Sequence, residues 1–426
     1  MPLANTDVLI SGAGVAGPTL AYWLVRCGFT PTVVERTPAL RAGLGGHAVD
    51  LFGPAVDVTE WMGILPQVWA ARTRTDLLEF ERPGRAPVRV ELSRLVAGVA
   101  TRHVEIMRGE LVSILHQATR DDVAYRFGDQ VRTLRQDGDG VEVTFEHGAP
   151  QRFGLVVGAD GLHSNVRRLA FGDDVQFRHW LGGYLGVGTL PNYLGLDGRM
   201  VIYTVPGKVA AIYPVRQTGQ ARAVLLFRAT EETAYDHHDP AQQRRLLRAA
   251  FAEPVWELPR LLAELERASD FYFDSISQIR MPSWSHGRVT LVGDAGYCPG
   301  PAVGGGTAVA MIGAYVLAGA LRAADGNLAT AFASYERELG ELVRLSRTIG
   351  PRVMKTLIPQ TPRQVWLTTQ AMRLLPRLPA PLRGRLLSSQ RGPARALAAI
   401  TLTHDKDEAA PDRPGHPTGH PPAPPG

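Results

Sequence analysis

Apolar positions are bunched at the start of the chain. Val8-Leu9-Ile10 runs without polar interruption between Asp7 and Ser11, and six residues from Gly12 to Gly17 hold three glycines. Leu20, Trp23, Leu24 and Cys27 then recur at three- and four-residue spacing, and Pro31-Thr-Val-Val closes on Glu35. The first and last runs have the length and composition of buried strands, and the middle one has the period of a helix. A strand–loop–helix–strand unit is therefore complete by Glu35. Further along, Gly109 to Thr119 has helical spacing, and Val123 to Phe127, Gln130 to Gln136, Val141 to Phe145 and Phe153 to Ala159 have strand character. Residues 184 to 228 turn strongly to strand, Pro240 to Ala268 to one amphipathic helix and Phe271 to Gln278 to strand again. Arg288 to Val292 is a last buried strand. Thr307 to Arg322 and Leu328 to Ile349 are long helices. Residues 351 to 400 are basic and broken by proline, which predicts short helices packed on the main body. From His404 to Gly426 large apolar residues are nearly absent, so this tail is expected to be disordered.

Composition narrows the partners. The chain has 426 residues, 45% apolar and 20% charged, enough for a large core in two interlocked domains. The net charge of +5 is spread out and carried by arginine, the lysines being Lys208, Lys355 and Lys406. No basic arm exists, so nucleic acid is not an expected partner. Cys27 and Cys298 stand at no metal spacing, which argues for no metal and for a reducing, cytoplasmic setting. The N-terminal apolar run is too short for a leader, and no continuous apolar stretch of bilayer length is visible, so no membrane span is expected. Oligomeric state is not legible.

Three glycine-bearing signatures carry the chemistry. In Gly12-Ala-Gly-Val-Ala-Gly17, Gly12 permits the tight turn, Gly14 lets the backbone approach a pyrophosphate, and Gly17 with Ala16 lets the helix sit close to the strand. Glu35, 23 residues after Gly12, can accept hydrogen bonds from ribose hydroxyls, and Arg36 beside it either touches the adenosine or is a surface residue. The second signature, Gly158-Ala-Asp-Gly161 followed by His163-Ser164 and Arg167-Arg168, places Asp160 at a strand end. In the third, Val289 to Val292 leads into Gly293-Asp294, then Pro299-Gly-Pro301 and Gly304-Gly305-Gly306-Thr307. Asp294 can bind polyol hydroxyls there, and the helix start at Thr307 faces its positive end toward an electron-rich ring edge.

In this order the signatures resemble the group A flavin monooxygenases, the single-component aromatic hydroxylases, over roughly residues 5 to 350. Two more segments, Gly45 to Gly53 and Glu105 to Leu115, are similar to the subgroup of bacterial tetracycline-degrading and natural-product-tailoring enzymes. The resemblance implies an α/β fold: a Rossmann-type FAD-binding domain (1–75, 95–175, 279–350) interlocked with an antiparallel-sheet substrate domain (76–94, 176–278), then C-terminal helices (351–403). It implies bound FAD, with the first motif on its ADP half, Asp160 serving FAD and NAD(P)H together, and Asp294 on the ribityl chain. By the same resemblance Asp50, Arg108 and Pro301 lie near the flavin ring. NADPH or NADH would bind transiently, and a flavin C4a-hydroperoxide formed with O₂ would oxygenate a small aromatic or polyketide-like molecule. Tyr203, Val205, Tyr213 and Phe227 are candidates for the substrate wall or plain core. No histidine in that wall matches the polar contact tetracycline would need.

A GxSxG nucleophile turn and the WxWxIP motif of flavin halogenases are both absent. The alternative left open is a redox-silent FAD-bearing cyclase.

Overall fold

The computed structural model describes residues 5–40, 47–82, 84–93, 102–301, 304–374, 377–378 and 402. Its strands are β1 (Asp7–Ser11), β2 (Thr30–Glu35), β3 (Ala48–Phe52), β4 (Leu77–Arg82), β5 (Arg85–Glu91), β6 (His103–Met107), β7 (Ala124–Phe127), β8 (Val131–Gln136), β9 (Val141–Phe145), β10 (Gln151–Phe153), β11 (Leu155–Gly158), β12 (Arg178–Pro191), β13 (Arg199–Val205), β14 (Lys208–Val215), β15 (Gln220–Arg228), β16 (Tyr272–Ile279), β17 (Ser285–His286) and β18 (Val289–Leu291). The helices used below are α1 (Ala16–Arg26), α2 (Pro54–Trp61), α3 (Leu65–Ala70), α4 (Arg108–Gln117), α5 (Asn165–Phe171), α6 (Pro240–Ala250), α7 (Leu258–Arg267), α8 (Asp294–Tyr297), α9 (Gly306–Ala323), α10 (Leu328–Leu357) and α11 (Pro362–Leu374).

A six-stranded sheet runs in the order β17-β18-β11-β1-β2-β7, and all but β17 are parallel to their neighbours. Strands buried on both faces must be apolar throughout, which is why Val8, Leu9, Ile10, Leu155, Val156 and Val157 are fully buried. The chain leaves β1 toward β2 on one side and returns as β11 on the other. The parallel arrangement therefore carries the C-terminal ends of β1, β2, β11 and β18 to one edge. Ser11, Gly158 and Leu291 stand in register there.

The second sheet is seven-stranded, ordered β16-β12-β15-β14-β13-β4-β5. Its pairs are antiparallel except β13 with β4, which run parallel because β4 and β5 arrive from the other side of the chain. On one face Tyr184, Tyr203, Ala223, Leu225 and Phe273 pack with Leu247, Phe251, Leu258 and Leu261 of the two helices α6 and α7. The single helix anticipated for Pro240 to Ala268 is broken: Pro254 follows Glu253, and Trp256 takes a positive φ of 52° between the two helices. The opposite face turns toward the first sheet. There Leu185, Val187 and Leu226 meet Met354 and Ile358 from α10 and the residue after it, while Tyr213 and Val215 meet Met107.

Helix α9 corrects one sequence-based expectation. Its 18 residues are long and apolar enough to cross a bilayer by composition, although alanine and glycine interrupt the large side chains. In the fold it is a core helix between α1 and α10, with Ala308, Met311, Ile312, Leu317 and Leu321 buried and Tyr315 edge-on to Trp23 at 4.9 Å. Helix α10 also runs past the anticipated end at Ile349, through Pro351 to Leu357. Of the anticipated C-terminal helices only α11 lies among the described residues, and the tail expected to be disordered lies outside them.

Close helix–strand packing leaves no room at Gly17, where an added Cβ would stand 2.0 Å from the Gly12 carbonyl oxygen. Gly17→Ala should therefore lower stability by roughly 1–3 kcal/mol. Thermal unfolding of the variant beside the wild type checks this; an unchanged melting temperature would show that α1 can slide.

Candidate active site

Four strand ends build the site. After β1 the chain turns through Gly12 at φ +111°, a conformation open to glycine, and Gly12 N–H donates to Val34 O at 2.7 Å. A Cβ at Gly12 would lie 2.5 Å from Ala159 O, so this glycine is held by the turn after β11. Gly14 differs. The nearest atom to a Cβ there is Arg108 Nη2 at 3.8 Å. Gly12 and Gly17 are thus pressed from within the protein, whereas Gly14 faces open space under a guanidinium. That is a cradle shaped for an anion.

Glu35 closes the loop from the side. One carboxylate oxygen accepts Ala13 N–H at 2.9 Å, and the other accepts Thr37 N–H at 3.0 Å and the Thr37 hydroxyl at 2.9 Å. It therefore holds the glycine turn and keeps lone pairs for a ribose. Arg108 opens α4 directly after β6, its side chain exposed, and no hydrogen bond or ion pair engages it among the described residues. Asp294 follows Gly293, whose φ is +68°, at the end of β18. Burial raises the Asp294 pKa and the charge of Arg108 opposes that rise. A Cβ on Gly306 would be 3.7 Å from Asp294 Oδ1, so the start of α9 and the Asp294 carboxylate face one another. Gly304 and Gly305, both at positive φ, supply the turn into α9, and Thr307 sits in its first turn. Gly14, Arg108, Asp294 and the Gly304–Thr307 turn thereby surround one space. Pro301 is part-buried in the loop that leads there.

Asp160, anticipated to serve the cofactors, stands just before α5. Its carboxylate accepts the Ser164 hydroxyl and the backbone N–H groups of Asn165 at 2.9 Å and Val166 at 3.0 Å. It caps α5, because the turn after β11 leads at once into that helix and its unpaired donors.

Beyond the cradle, β3 and β6 pair so that Asp50 stands opposite Glu105. Val49 and Leu51 enter the core, whereas Ala48 packs on Met107, Tyr213 and Val215 toward the second sheet, and Phe52 stacks on His103. Asp50 Oδ1 lies 2.7 Å from His103 Nε2. Burial disfavours the His103 cation, but the hydrogen bond and charge of Asp50 outweigh it and raise its pKa. Glu105 is raised by burial and then by the Asp50 charge, and accepts the Thr73 hydroxyl. Tyr213 joins this wall to the second sheet: its hydroxyl oxygen accepts Ala48 N–H at 2.9 Å. Directly across the ladder from Tyr213, Arg222 is buried in an ion pair with Asp270, which also accepts the Thr189 hydroxyl at 2.6 Å. His47, just before β3, is part-buried, and burial together with Arg108 and Arg222 lowers its pKa to about 4.

The four substrate-wall candidates therefore separate. Tyr213 lies on the face toward β3 and β6. Tyr203, Val205 and Phe227 lie on the other face, under α6 and α7, with Tyr203 stacked on Trp256 at 5.0 Å and Phe227 edge-on to Phe251 at 6.1 Å. They are core. The alternation of β13 and β15 puts them there: one residue of phase decides the face, and composition alone does not reveal which face meets the cofactor domain. His47, Glu105 and Arg222 were missed. Glu105 and Arg222 did leave a trace, each being a charge inside an apolar strand.

A second cavity, of about 300 Å³, opens beside the α5 turn. Arg36, Gln130, Asn165 and Arg168 line it together with His163, His237 and His238. His163 stacks on His237 at 4.5 Å, and His237 lies 3.9 Å from His238. His163 Nε2 is 2.9 Å from the buried Asp274 carboxylate, which also accepts the hydroxyls of Tyr235 and Tyr272 at 2.8 Å. Burial alone would raise the Asp274 pKa, but these donors, His163 first, hold it below the usual range. Asp174, the acid on this wall, is paired with Arg167 at 2.9 Å. The cavity is thus cationic. The histidine pair 237-238 gave no sequence signal, since it lies in a polar connection.

Comparison with known proteins agrees with this geometry. The model of a family described as FAD binding domain matches residues 5–338. A flavin-dependent monooxygenase of Legionella longbeachae is 37% identical over 355 residues, covering 83% of this chain and 90% of the relative. An uncharacterised protein of Mycobacterium tuberculosis is 46% identical over 333 residues, 78% of this chain and 89% of its own. Among solved structures, tetracycline destructase Tet(55) superposes with a TM-score of 0.80 at 34% identity, covering 95% of this chain and all of that one (100%).

The site yields two expectations. Asp294→Ala should weaken retention of the dinucleotide by roughly 1–3 kcal/mol, since a charged acceptor is lost; equilibrium dialysis of FAD reads this, and unchanged affinity would remove Asp294 from the site. The depressed pKa of His47 means that between pH 6.5 and about 4 the unfolded chain takes up the proton and the native one does not. His47 therefore costs stability progressively as pH falls through that window and nothing above it. His47→Gln should flatten the pH dependence of urea unfolding there; an identical slope would show that His47 is solvated.

Proposed function

The chain belongs to the FAD binding domain family and is a flavin-dependent monooxygenase, and from that premise we propose that it uses NADPH or NADH and O₂ to place one oxygen atom in a small ring-bearing molecule, aromatic or polyketide-like. The observation that carries this reading is the convergence of Gly14, Arg108, Asp294 and the Gly304–Thr307 turn on one space that borders the cleft between the two sheets.

FAD, when bound, supplies the reduction and the oxygen activation. The residues fit it: the open face of Gly14 and the unpaired Arg108 suit the pyrophosphate, Glu35 the ribose, Asp294 the ribityl hydroxyls, and the α9 N-terminus the electron-rich ring edge. The chain's own contribution is to bind, orient and exclude water. Leu185, Val187 and Leu226 are buried against Met354 and Ile358, which closes that side of the second sheet to water. Asp50, His103 and Glu105 form a polar wall opposite, where a hydroxylated ring can be oriented. Arg36, Arg168 and the three imidazoles give the phosphates of a nicotinamide dinucleotide a cationic place to dock outside the FAD cradle. Likeness to the tetracycline destructases supports a polycyclic substrate; the strands from Tyr203 to Phe227 carry no histidine, and the imidazoles of the wall, His47 and His103, come from the β3–β6 side instead.

The test is anaerobic reduction of the yellow holoprotein. Bleaching of the flavin bands by NADPH or NADH, with substrate consumption once air is admitted, is the expected result. Bound flavin that no reduced nicotinamide bleaches, with a substrate cyclised instead, would establish the redox-silent reading. The paired variant Arg36→Gln/Arg168→Gln should raise KM for NADPH about tenfold or more while leaving FAD content and kcat near wild type. A KM that does not move would take the reductant away from this cavity.

A further inference from the structure

Three guanidinium groups and an indole surround a groove that none of the sequence motifs above lines. It lies between residues 280–284 and α10, has a volume of about 490 Å³, and is lined by Arg280, Met281, Trp284, Val343, Arg344 and Arg347 among others. Arg344 is satisfied, since Glu341 accepts from it at 2.6 and 2.7 Å. Arg280 donates only to an uncharged amide, Gln278 Oε1, at 3.0 and 2.8 Å. Arg347 Nε and Nη2 are buried without an acceptor among the described residues, and so is the Trp284 indole N–H. The acid on the groove wall, Glu336, already accepts the Ser283 hydroxyl at 2.8 Å and Trp284 N–H at 2.7 Å. Burial and the neighbouring Arg280 press the Arg347 pKa down to about 10.

Two neighbouring cations with no counter-ion among the described residues, one of them with buried and unused donors, are costly unless something completes them. The planar fork of Arg347 matches a carboxylate, and the apolar surface of Met281, Trp284 and Val343 suits the body that carries one. We propose that this groove is a second ligand site, for a small carboxylate with an apolar or aromatic body. It is separate from the FAD cradle, and binding there is independent of which nicotinamide the enzyme uses.

The groove also connects to the loop beside the flavin space. Pro351 removes the N–H that would bond Arg347 O one turn back, and Gln278 Nε2 supplies it instead at 2.9 Å. The same amide nitrogen donates to Pro299 O at 3.0 Å, and Gly350 packs so closely that a Cβ would meet Gln278 Nε2 at 2.5 Å. A carboxylate on Arg280 and Arg347 therefore touches the residues that hold Gln278, and through it the turn that begins at Pro299.

The probes are benzoate, benzyl alcohol as its neutral counterpart, and inorganic phosphate, titrated calorimetrically into the FAD-loaded full chain while flavin absorbance reports any occupancy of the substrate cleft. Benzoate should bind with unchanged flavin bands, and Arg347→Gln should weaken it by about tenfold or more, as should benzyl alcohol in place of benzoate. Arg347→Lys should retain part of the affinity. Should Arg347→Gln lose its native circular dichroism, Arg280→Gln must show the same weakening. Equal benzoate binding by wild type and Arg347→Gln, or none by wild type, overturns the site. Phosphate binding tighter than benzoate overturns the apolar body.

Discussion

Everything at the site hangs on how closely α1 approaches the end of β1. Gly12 and Gly17 touch backbone to backbone, and the turn after β11 presses on Gly12 from the other side. With no side chains between them, the α1 N-terminus, the Asp160 turn and the Gly293 turn can share one edge of the parallel sheet. Atoms added at Gly12 or Gly17 would separate these parts, whereas Gly14 faces outward and leaves its backbone free for a ligand. Three glycines in one hexapeptide thus have two distinct physical functions.

The second sheet is placed by a few polar contacts between the domains. Tyr213 accepts a hydrogen bond from the first residue of β3, and Met107 at the end of β6 packs against Tyr213 and Val215. Arg222 lies across the ladder from Tyr213, buried against Asp270. A buried ion pair is weak evidence for stability by itself. Here it sets a positive charge behind the wall that His47 and Tyr213 share, and this adds to burial and Arg108, which do most to disfavour the His47 cation. The β3–β6 wall is therefore polar, with Asp50, His103 and Glu105 on it.

Helix α10 closes the structure from behind. Asn327 caps it, accepting Thr330 N–H at 3.2 Å, and Tyr335 donates to Leu291 O at 3.0 Å. Pro351 interrupts its hydrogen-bond ladder, and Gln278 repairs the gap while tying the helix to Pro299. One amide thus couples the edge strand of the second sheet, the proline-bearing part of α10 and the loop beside the site.

Much of the cofactor half was legible along the chain. Buried parallel strands are continuous apolar runs, and tight turns at their ends demand glycine, so the order of motifs could be read from local composition; the same holds for Glu35 and Asp294. Contacts made across the fold were not legible. That Asp160 accepts the first N–H groups of α5, and that α9 is covered by α1 and α10, came only with the fold. Tyr203, Val205 and Phe227 share their composition with Tyr213, but strand phase sends them to the helix-covered face. The histidine pair at 237 and 238, and the uncompensated Arg347, come from segments with no pattern. The sequence by itself determined the parallel strands of the first sheet and their glycine turns, because those depend on neighbours a few residues away. The tertiary structure alone decided which face, which partner and which charge each remaining side chain meets, because those depend on residues brought from a hundred positions away.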